Sequence, residues 1–270
     1  MSKFIFLDID GTLVMPGQMP SKMTVEAIRS ARLKGHKVFL STGRMEASIS
    51  ENVQAIGFDG GIYGAGGRVV VGDAVLIDRP MMPKLAWQIT DILKKEKISF
   101  KIESADGIYY AVDGQIQQSG AHYFGFDSNL LRHKEANNFM SRQDIPVYKI
   151  LFSATSKEQV EQIRQELNAI AKVVCFASLV PDYSRFPGEI SDWATNKGAA
   201  LIRICQHFGV TPSECIAFGD SMNDAEILRI AGIGIAMGNS EACIKEIANQ
   251  VCETCQEDGI AKALTRMSLI

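Results

Sequence analysis

Lys3-Phe4-Ile5-Phe6-Leu7-Asp8-Ile9-Asp10-Gly11-Thr12 decides the fold. Its first half is a short apolar run that ends abruptly in an acid, the pattern of a strand buried on both faces whose last residue reaches a polar edge. Downstream, Ser21 is placed to cap a helix whose apolar face is Val25, Ala27, Ile28 and Ala31, and Gly35 is placed to stop it. A second apolar run, Lys37 to Ser41, then delivers Thr42, Gly43 and Arg44 at its end. Strand, helix, strand in this order implies a parallel sheet with a right-handed crossover.

The same grammar is interrupted and later resumes. A helix is expected over Glu46 to Ile56, then a glycine-rich stretch and two strands, Arg68 to Val71 and Ala74 to Ile77, joined by a Gly72-Asp73 turn. Pro80 and Pro83 mark a linker. Beyond it the order changes to a helix (Lys84 to Lys95), strands (Ile98 to Glu103, Ile108 to Val112, Val147 to Ala154), a helix (Lys157 to Ala169) and a strand (Val173 to Ser178). That order suits an inserted α+β domain. After about Phe186 the opening pattern returns: helix Lys197 to Phe208, strand Cys215 to Phe218 with Gly219 and Asp220, helix Asn223 to Ala231, strand Ile233 to Ala236, and a last helix from near Ser240. The expected fold is a three-layer, Rossmann-like α/β core with a parallel sheet, from residues 1–82 and 188–270, carrying an inserted α+β cap at 83–187.

Composition narrows the function classes. The 270 residues are 46% hydrophobic and 22% charged, as in a globular protein. A net charge of −3, scattered without runs, gives no purchase for nucleic acid or an anionic membrane surface. No apolar stretch has the length of a spanning helix and the start lacks the features of a secretory leader, so a soluble, cytoplasmic protein is expected. The six cysteines include one C-x-x-C pair, Cys252 and Cys255, with no second pair to complete a structural zinc site. Reduced thiols are expected.

Parallel sheets bind ligands beyond the carboxyl ends of their strands. Three such ends carry Asp8-Ile9-Asp10-Gly11-Thr12, Thr42-Gly43-Arg44 and Gly219-Asp220-Ser221-Met222-Asn223-Asp224, and Lys197 starts a helix. Crowded carboxylates repel one another unless a cation lies among them. Oxygen donors select a hard ion, and Mg²⁺, which takes one or two carboxylates plus phosphate oxygens and water, suits the set better than calcium or zinc.

The joint order of these motifs resembles the haloacid dehalogenase superfamily, in particular its Cof-like phosphatases with a large α/β cap. The resemblance runs through DIDGTL (8–13), STGR (41–44), TNKGAAL (195–201), GDSMND (219–224), IAMGN (235–239) and EDGIAKAL (257–264). It implies a magnesium-dependent phosphatase acting on a small phosphorylated metabolite, a sugar phosphate or phosphorylated cofactor, through an aspartyl-phosphate. It also implies roles. Asp8 matches the nucleophile and Asp10 the general acid and base. Mg²⁺ would be held by Asp8, the Asp10 carbonyl and Asp220, and phosphate by Thr42, Lys197 and Asn223. Gly43, Arg44 and Asp224 would support them, with Arg44 reaching either the phosphate or an acidic motif. A phosphomutase would use the same residues, and a non-catalytic ligand-binding regulator is the third reading.

Other residues read as packing or surface. The four histidines, His36, His122, His133 and His207, are expected on the surface or on helix faces, and Met222, Met237 and Trp193 in packing. Where the family often has Asn-Gly, this chain reads Gly64-Ala65-Gly66-Gly67, so the resemblance assigns no substrate contact to that loop. In the cap, loops 105–108 and 114–125 offer Asp106, Tyr123 and Phe124 as substrate contacts, none singled out.

Overall fold

Every side chain of β1 (Phe4–Leu7) is buried, as a strand with helices on both faces requires. The computed structural model describes residues 2–15, 17–111, 133–134, 145–175 and 186–270. The chain divides into two compact units, one of Met1–Arg44, Ser50–Asp78 and Asn196–Ile270, the other of Met45–Ile49 and Arg79–Thr195.

In the first unit β1 is followed by α1 (Lys22–Leu33), capped by the Ser21 hydroxyl, which accepts the Thr24 N–H. Thr24, Ala27, Ile28 and Ala31 are its buried face, so Thr24 takes the place expected for Val25. β2 (Lys37–Ser41) lies parallel to β1. The helix expected over Glu46 to Ile56 is broken in two. A 3-10 turn at Glu46–Ser48 and the single turn α2 (Glu51–Gln54) are separated by Ile49 and Ser50, both extended. Serine competes with the helix for its own backbone, and Ser50 occupies the N-cap position of α2 instead of a helix interior. β3 (Gly60–Tyr63) then leads into the hairpin of β4 (Arg68–Val71) and β5 (Ala74–Asp78), turned at Gly72 with φ +52°.

The second unit contains α3 (Pro83–Lys95), β6 (Ser99–Glu103), β7 (Ile108–Ala111), β8 (His133–Lys134), β9 (Lys149–Ala154), α4 (Lys157–Leu167), β10 (Lys172–Cys175) and β11 (Phe186–Ser191). Its sheet runs β10-β11-β9-β6-β7-β8. The sequence puts the return to the core just after Phe186, whereas β11 pairs antiparallel with both β9 and β10. Pro187 and Gly188 disguise that strand as a loop. Alternation sorts its faces. Phe100, Ile102, Ile150, Phe152 and Ile190 pack with Ile89, Leu93, Ile163 and Leu167 of the two helices. Lys101, Glu103 and Lys149, on the other parity, are also buried, and Glu103 pairs with Lys101 at 3.6 Å and Lys149 at 3.7 Å.

The chain re-enters the first unit with α5 (Lys197–Phe208), β12 (Cys215–Gly219), α6 (Ala225–Ile230), β13 (Ile233–Ala236), α7 (Ala242–Ile247), β14 (Gln250–Val251) and α8 (Gly259–Arg266). The resulting eight-stranded sheet has the order β14-β13-β12-β1-β2-β3-β4-β5, parallel from β14 to β3 and antiparallel at the β4–β5 edge. This is the mixed α/β fold with a mostly parallel sheet that the opening residues imply. On one face Phe39 stacks on Phe6 at 5.2 Å between ring centroids, and Phe208 of α5 tilts against Phe4 at 5.1 Å. Leu201, Ile204, Ile227 and Leu228 from α5 and α6 complete that core. On the chain's other helices, α1 packs against α8. Among the described residues no helix is long and apolar enough to cross a membrane.

His36 departs from the surface position expected of it. It is buried, and its Nδ1 accepts the Lys3 N–H at 3.0 Å. Burial, and then neighbouring positive charges including Lys34 and Lys3, lowers its pKa from the ordinary 6.5. As pH falls below that value the unfolded chain takes up the proton first, so this residue costs stability on the acid side and nothing above it. His36→Asn offers an acceptor that does not titrate. We expect the drop in Tm between about pH 7.5 and about pH 5.5 to be smaller in that variant than in the wild type, by calorimetry on the two proteins side by side. An equal drop in both would place the acid sensitivity elsewhere.

Candidate active site

The sheet order puts β12, β1 and β2 side by side. Their registers pair Leu7 with Phe218 on one side and Leu40 on the other, so the residues that follow, Asp8, Thr42 and Asp220, emerge at one edge. Asp8 continues the ladder through its N–H, donated to the Phe218 carbonyl at 3.1 Å.

Lys197 enters from the first residue of α5, whose N-cap, Asn196, accepts the Ala199 N–H at 3.0 Å. Its side chain is buried, and its Nζ donates to Asp8 Oδ1 at 2.8 Å, Asp224 Oδ1 at 2.6 Å and Asn223 Oδ1 at 3.2 Å. An ammonium has three protons, and here each has an acceptor. Burial works against the Lys197 charge, but the Asp224 and Asp8 carboxylates outweigh it and hold the pKa above the ordinary lysine value. For Asp8 burial dominates and, with Asp224 and Asp220 nearby, pushes the pKa well up despite Lys197.

The loop after β12 is built around Asp224. Its Oδ2 accepts the N–H groups of Asp220 and Ser221 at 3.1 and 3.2 Å, forming with Ser221 a capping box over the 3-10 turn Met222–Asp224. Asn223 Oδ1 also accepts the Ser221 hydroxyl at 2.9 Å. Gly219 makes room for this arrangement, because a Cβ there would lie 2.5 Å from the Asp224 side chain. Asp220 lies against the first loop in the same manner. A Cβ on Gly11 would fall 2.3 Å from Asp220 Oδ2, and Gly11 has φ +83°, a conformation open to glycine. Thr12 donates its hydroxyl to Asp220 Oδ1 at 3.1 Å. Burial, then the charge of Asp224, pushes the Asp220 pKa up to about 7.

Thr42 and Arg44 form the second part of the edge. Thr42 is buried, its N–H bonds to the Ile62 carbonyl at 2.8 Å, and its Oγ1 accepts the Arg44 N–H across Gly43 at 3.1 Å. The Arg44 guanidinium grips Asp10 with two bonds, Nε to Oδ2 at 2.7 Å and the second nitrogen to Oδ1 at 2.5 Å. Of the two partners the sequence left open for Arg44, the acidic motif is the one it holds in this structure. The Gly64-Ala65-Gly66-Gly67 loop closes on the same residues: Ala65, at φ 54°, donates its N–H to the Thr42 carbonyl, and a Cβ on Gly66 would lie 2.5 Å from the Asn196 carbonyl oxygen.

Carboxylate oxygens of Asp8, Asp220 and Asp224 lie within 4.8 Å of one another. The donors are all oxygen, and burial first, with neighbouring acids adding to it, raises the pKa values of Asp8 and Asp220. A hard divalent cation fits such a set. Asp224 has both oxygens engaged already, and the Asp10 side chain is held by Arg44.

Reading the sequence quoted Gly11, Thr12 and Ser221 within the motifs but gave them no role. The S-x-x-D spacing of Ser221 and Asp224 was an available signal. Of the residues expected in packing, Met237 is buried, while Trp193 is 55% and Met222 59% exposed. In the cap, Asp106 accepts the Tyr109 hydroxyl at 3.0 Å, and Tyr123, Phe124 and His122 lie outside the described residues.

Proteins similar to this chain have named activities. The chain is 26% identical over 267 residues to a 5-amino-6-(5-phospho-D-ribitylamino)uracil phosphatase of Bacillus subtilis (strain 168), covering 97% of this chain and 94% of that one. It is 24% identical over 282 residues to a pyridoxal phosphate phosphatase of Escherichia coli (strain K12), covering 97% of each. Its fold matches the solved structure of a subclass IIB sugar phosphatase of the haloacid dehalogenase superfamily with a TM-score of 0.80 over 100% of both chains, at 24% identity. The model of the haloacid dehalogenase-like hydrolases matches residues 5–264, and those residues include every acid gathered at the sheet edge. By that match this chain belongs to the haloacid dehalogenase-like hydrolase family.

Proposed function

We propose that the chain is a magnesium-dependent phosphatase that hydrolyses a small phosphorylated metabolite, a sugar phosphate or phosphorylated cofactor, by way of a phosphoryl group carried on Asp8. The observation that carries this reading is the buried Lys197 ammonium bound at once to Asp8, Asn223 and Asp224, with Asp220 against the Asp8 loop. The names of the relatives support the reaction class. In domain terms, the unit of Met1–Arg44, Ser50–Asp78 and Asn196–Ile270 would be catalytic and the inserted unit, expected at 83–187 and compact over Arg79–Thr195, would act on the leaving group.

Asp8 attacks phosphorus, and the bond to the alcohol oxygen breaks as Asp10 gives that oxygen a proton. Asp10 then takes a proton from water, whose oxygen attacks the phosphoryl group on Asp8 and releases inorganic phosphate. Splitting the displacement in this way replaces one difficult step by two easier ones. Lys197 fixes the attacking carboxylate, and because its three protons are taken, it meets a phosphate oxygen only by giving up or sharing one acceptor. Thr42 Oγ1 already accepts from Arg44, which leaves its own proton for phosphate. Arg44 holds both Asp10 oxygens in the bare protein, so Asp10 carries and delivers a proton only by giving up or sharing one of those two bonds. Magnesium, when bound, supplies positive charge to the carboxylates and phosphate, and Asp8, the Asp10 carbonyl and Asp220 would hold it.

Asp8→Asn removes the nucleophile with little change of volume. We expect kcat on p-nitrophenyl phosphate to fall by at least about 10³-fold while the circular dichroism spectrum is kept. Turnover at the wild-type rate would take Asp8 out of the chemistry.

Excess EDTA should abolish phosphate release, and Mg²⁺ should restore it and raise Tm, since a cation bound to the folded form stabilises it. Ca²⁺, with longer and looser coordination, should not restore turnover. Full activity in EDTA would remove the metal from the mechanism.

A further inference from the structure

Asn239 lies two residues beyond the buried Met237 and none of the roles above uses it. Its Nδ2 donates to the Gly11 carbonyl at 2.8 Å, 228 positions back in the chain, and its Oδ1 accepts the Cys255 N–H at 2.9 Å. The Gly11 peptide is a demanding place for such a bond. Gly11 follows Asp10 directly, adopts φ +83°, and lies so close to Asp220 Oδ2 that no side chain fits there.

The loop from Asp8 to Val14 is shaped by its own backbone bonds. The Ile9 carbonyl accepts the N–H groups of Leu13 and Val14 at 3.0 and 2.9 Å, and Gly11 N–H bonds to the Val14 carbonyl at 2.8 Å. These bonds give the loop its shape but do not fix it to its surroundings. Side chains do so: Lys197 holds Asp8, Arg44 holds Asp10 with two bonds, Thr12 reaches Asp220, and Asn239 holds the carbonyl of the Gly11 peptide itself. Rotation of the Gly11 peptide would tilt Asp10 and Thr12 together, since one precedes and the other follows it.

We propose that Asn239 is a positioning residue for the Asp8–Thr12 loop. It touches neither substrate nor reacting atoms, and acts by clamping the Gly11 carbonyl to the Cys255 backbone so that Asp8 and Asp10 keep their alignment. This rests on the phosphatase reading above. A loop moved by a fraction of an ångström loses alignment in the transition state more than it loses ground-state binding, so the effect belongs in kcat and not in KM.

Two variants separate the links. Asn239→Asp is nearly isosteric, keeps the acceptor for Cys255 N–H and deletes the donor to Gly11. Asn239→Ala deletes both without adding charge. With p-nitrophenyl phosphate and saturating Mg²⁺ we expect kcat to fall about 10- to 100-fold in both, KM to stay within about twofold, and the fraction folded at 25 °C by circular dichroism to be unchanged. A folded Asn239→Ala with kcat within about twofold of wild type would overturn the proposal, as would an effect confined to KM. Two variants that are unfolded at 25 °C would also overturn it, making Asn239 a folding residue. Wild-type protein without turnover on any phosphate ester would instead sink the phosphatase reading, an outcome told apart by needing no variant.

Discussion

A lysine ammonium buried among oxygens is the constraint on which the rest of this structure depends. Taking the Lys197 charge and the Asp8 and Asp224 charges out of water costs several kcal/mol for each ion, and the cost is offset only if each proton and lone pair finds a partner. It is met by residues from three distant parts of the chain: the end of β1, the start of α5 and the turn after β12. A hydrophobic set of similar volume would stabilise the fold as well or better. What the charged set adds is a carboxylate held on one oxygen by a fixed cation, the geometry that the proposed nucleophilic role of Asp8 calls for.

Glycines set how closely these parts approach. Gly11, Gly66 and Gly219 each stand where a Cβ would meet the neighbouring polar group at 2.3 to 2.5 Å: the Asp220 carboxylate, the Asn196 carbonyl and the Asp224 side chain respectively. Two of those neighbours are acids of the site and the third is the N-cap of the helix that carries Lys197. The absent side chains therefore determine spacing as directly as the charged ones that are present.

How much of this could be read beforehand follows from the range of each signal. The buried runs Phe4–Leu7, Lys37–Ser41 and Ile233–Ala236 are local, and so were legible as parallel strands, with Asp8, Thr42 and Asp220 placed at or near strand ends by the grammar alone. Side-chain partners are not local. Arg44 gripping Asp10, Thr12 reaching Asp220 and Asn239 reaching Gly11 span 34, 208 and 228 positions, and no periodicity records them. The errors differ in origin. The segment after Arg44 has helical composition, but Ile49 and Ser50 are extended and Ser50 takes the N-cap position of a new turn, a local competition that the apolar pattern does not record. Strand β11 was hidden because Pro187 and Gly188 are poor strand formers whose place is secured by pairing with β9 and β10.

Asp220 and Asp224 show why identity of residue type does not settle role. They sit four positions apart in one loop, with the same carboxyl group and the same acidic neighbours. Asp224 spends one oxygen on Lys197 and the other on two backbone N–H groups, so it organises the turn and balances the ammonium. Asp220 has a single hydroxyl donor, from Thr12, and burial with the charge of Asp224 pushes its pKa up to about 7. A buried carboxylate gains from a bound cation, because positive charge beside it favours the ionised form that burial and the Asp224 charge both disfavour. The two acids thus differ by their neighbours: Asp224, with both oxygens engaged, builds the loop, and Asp220 has fewer partners among the described residues and is the one the proposed function gives to the metal.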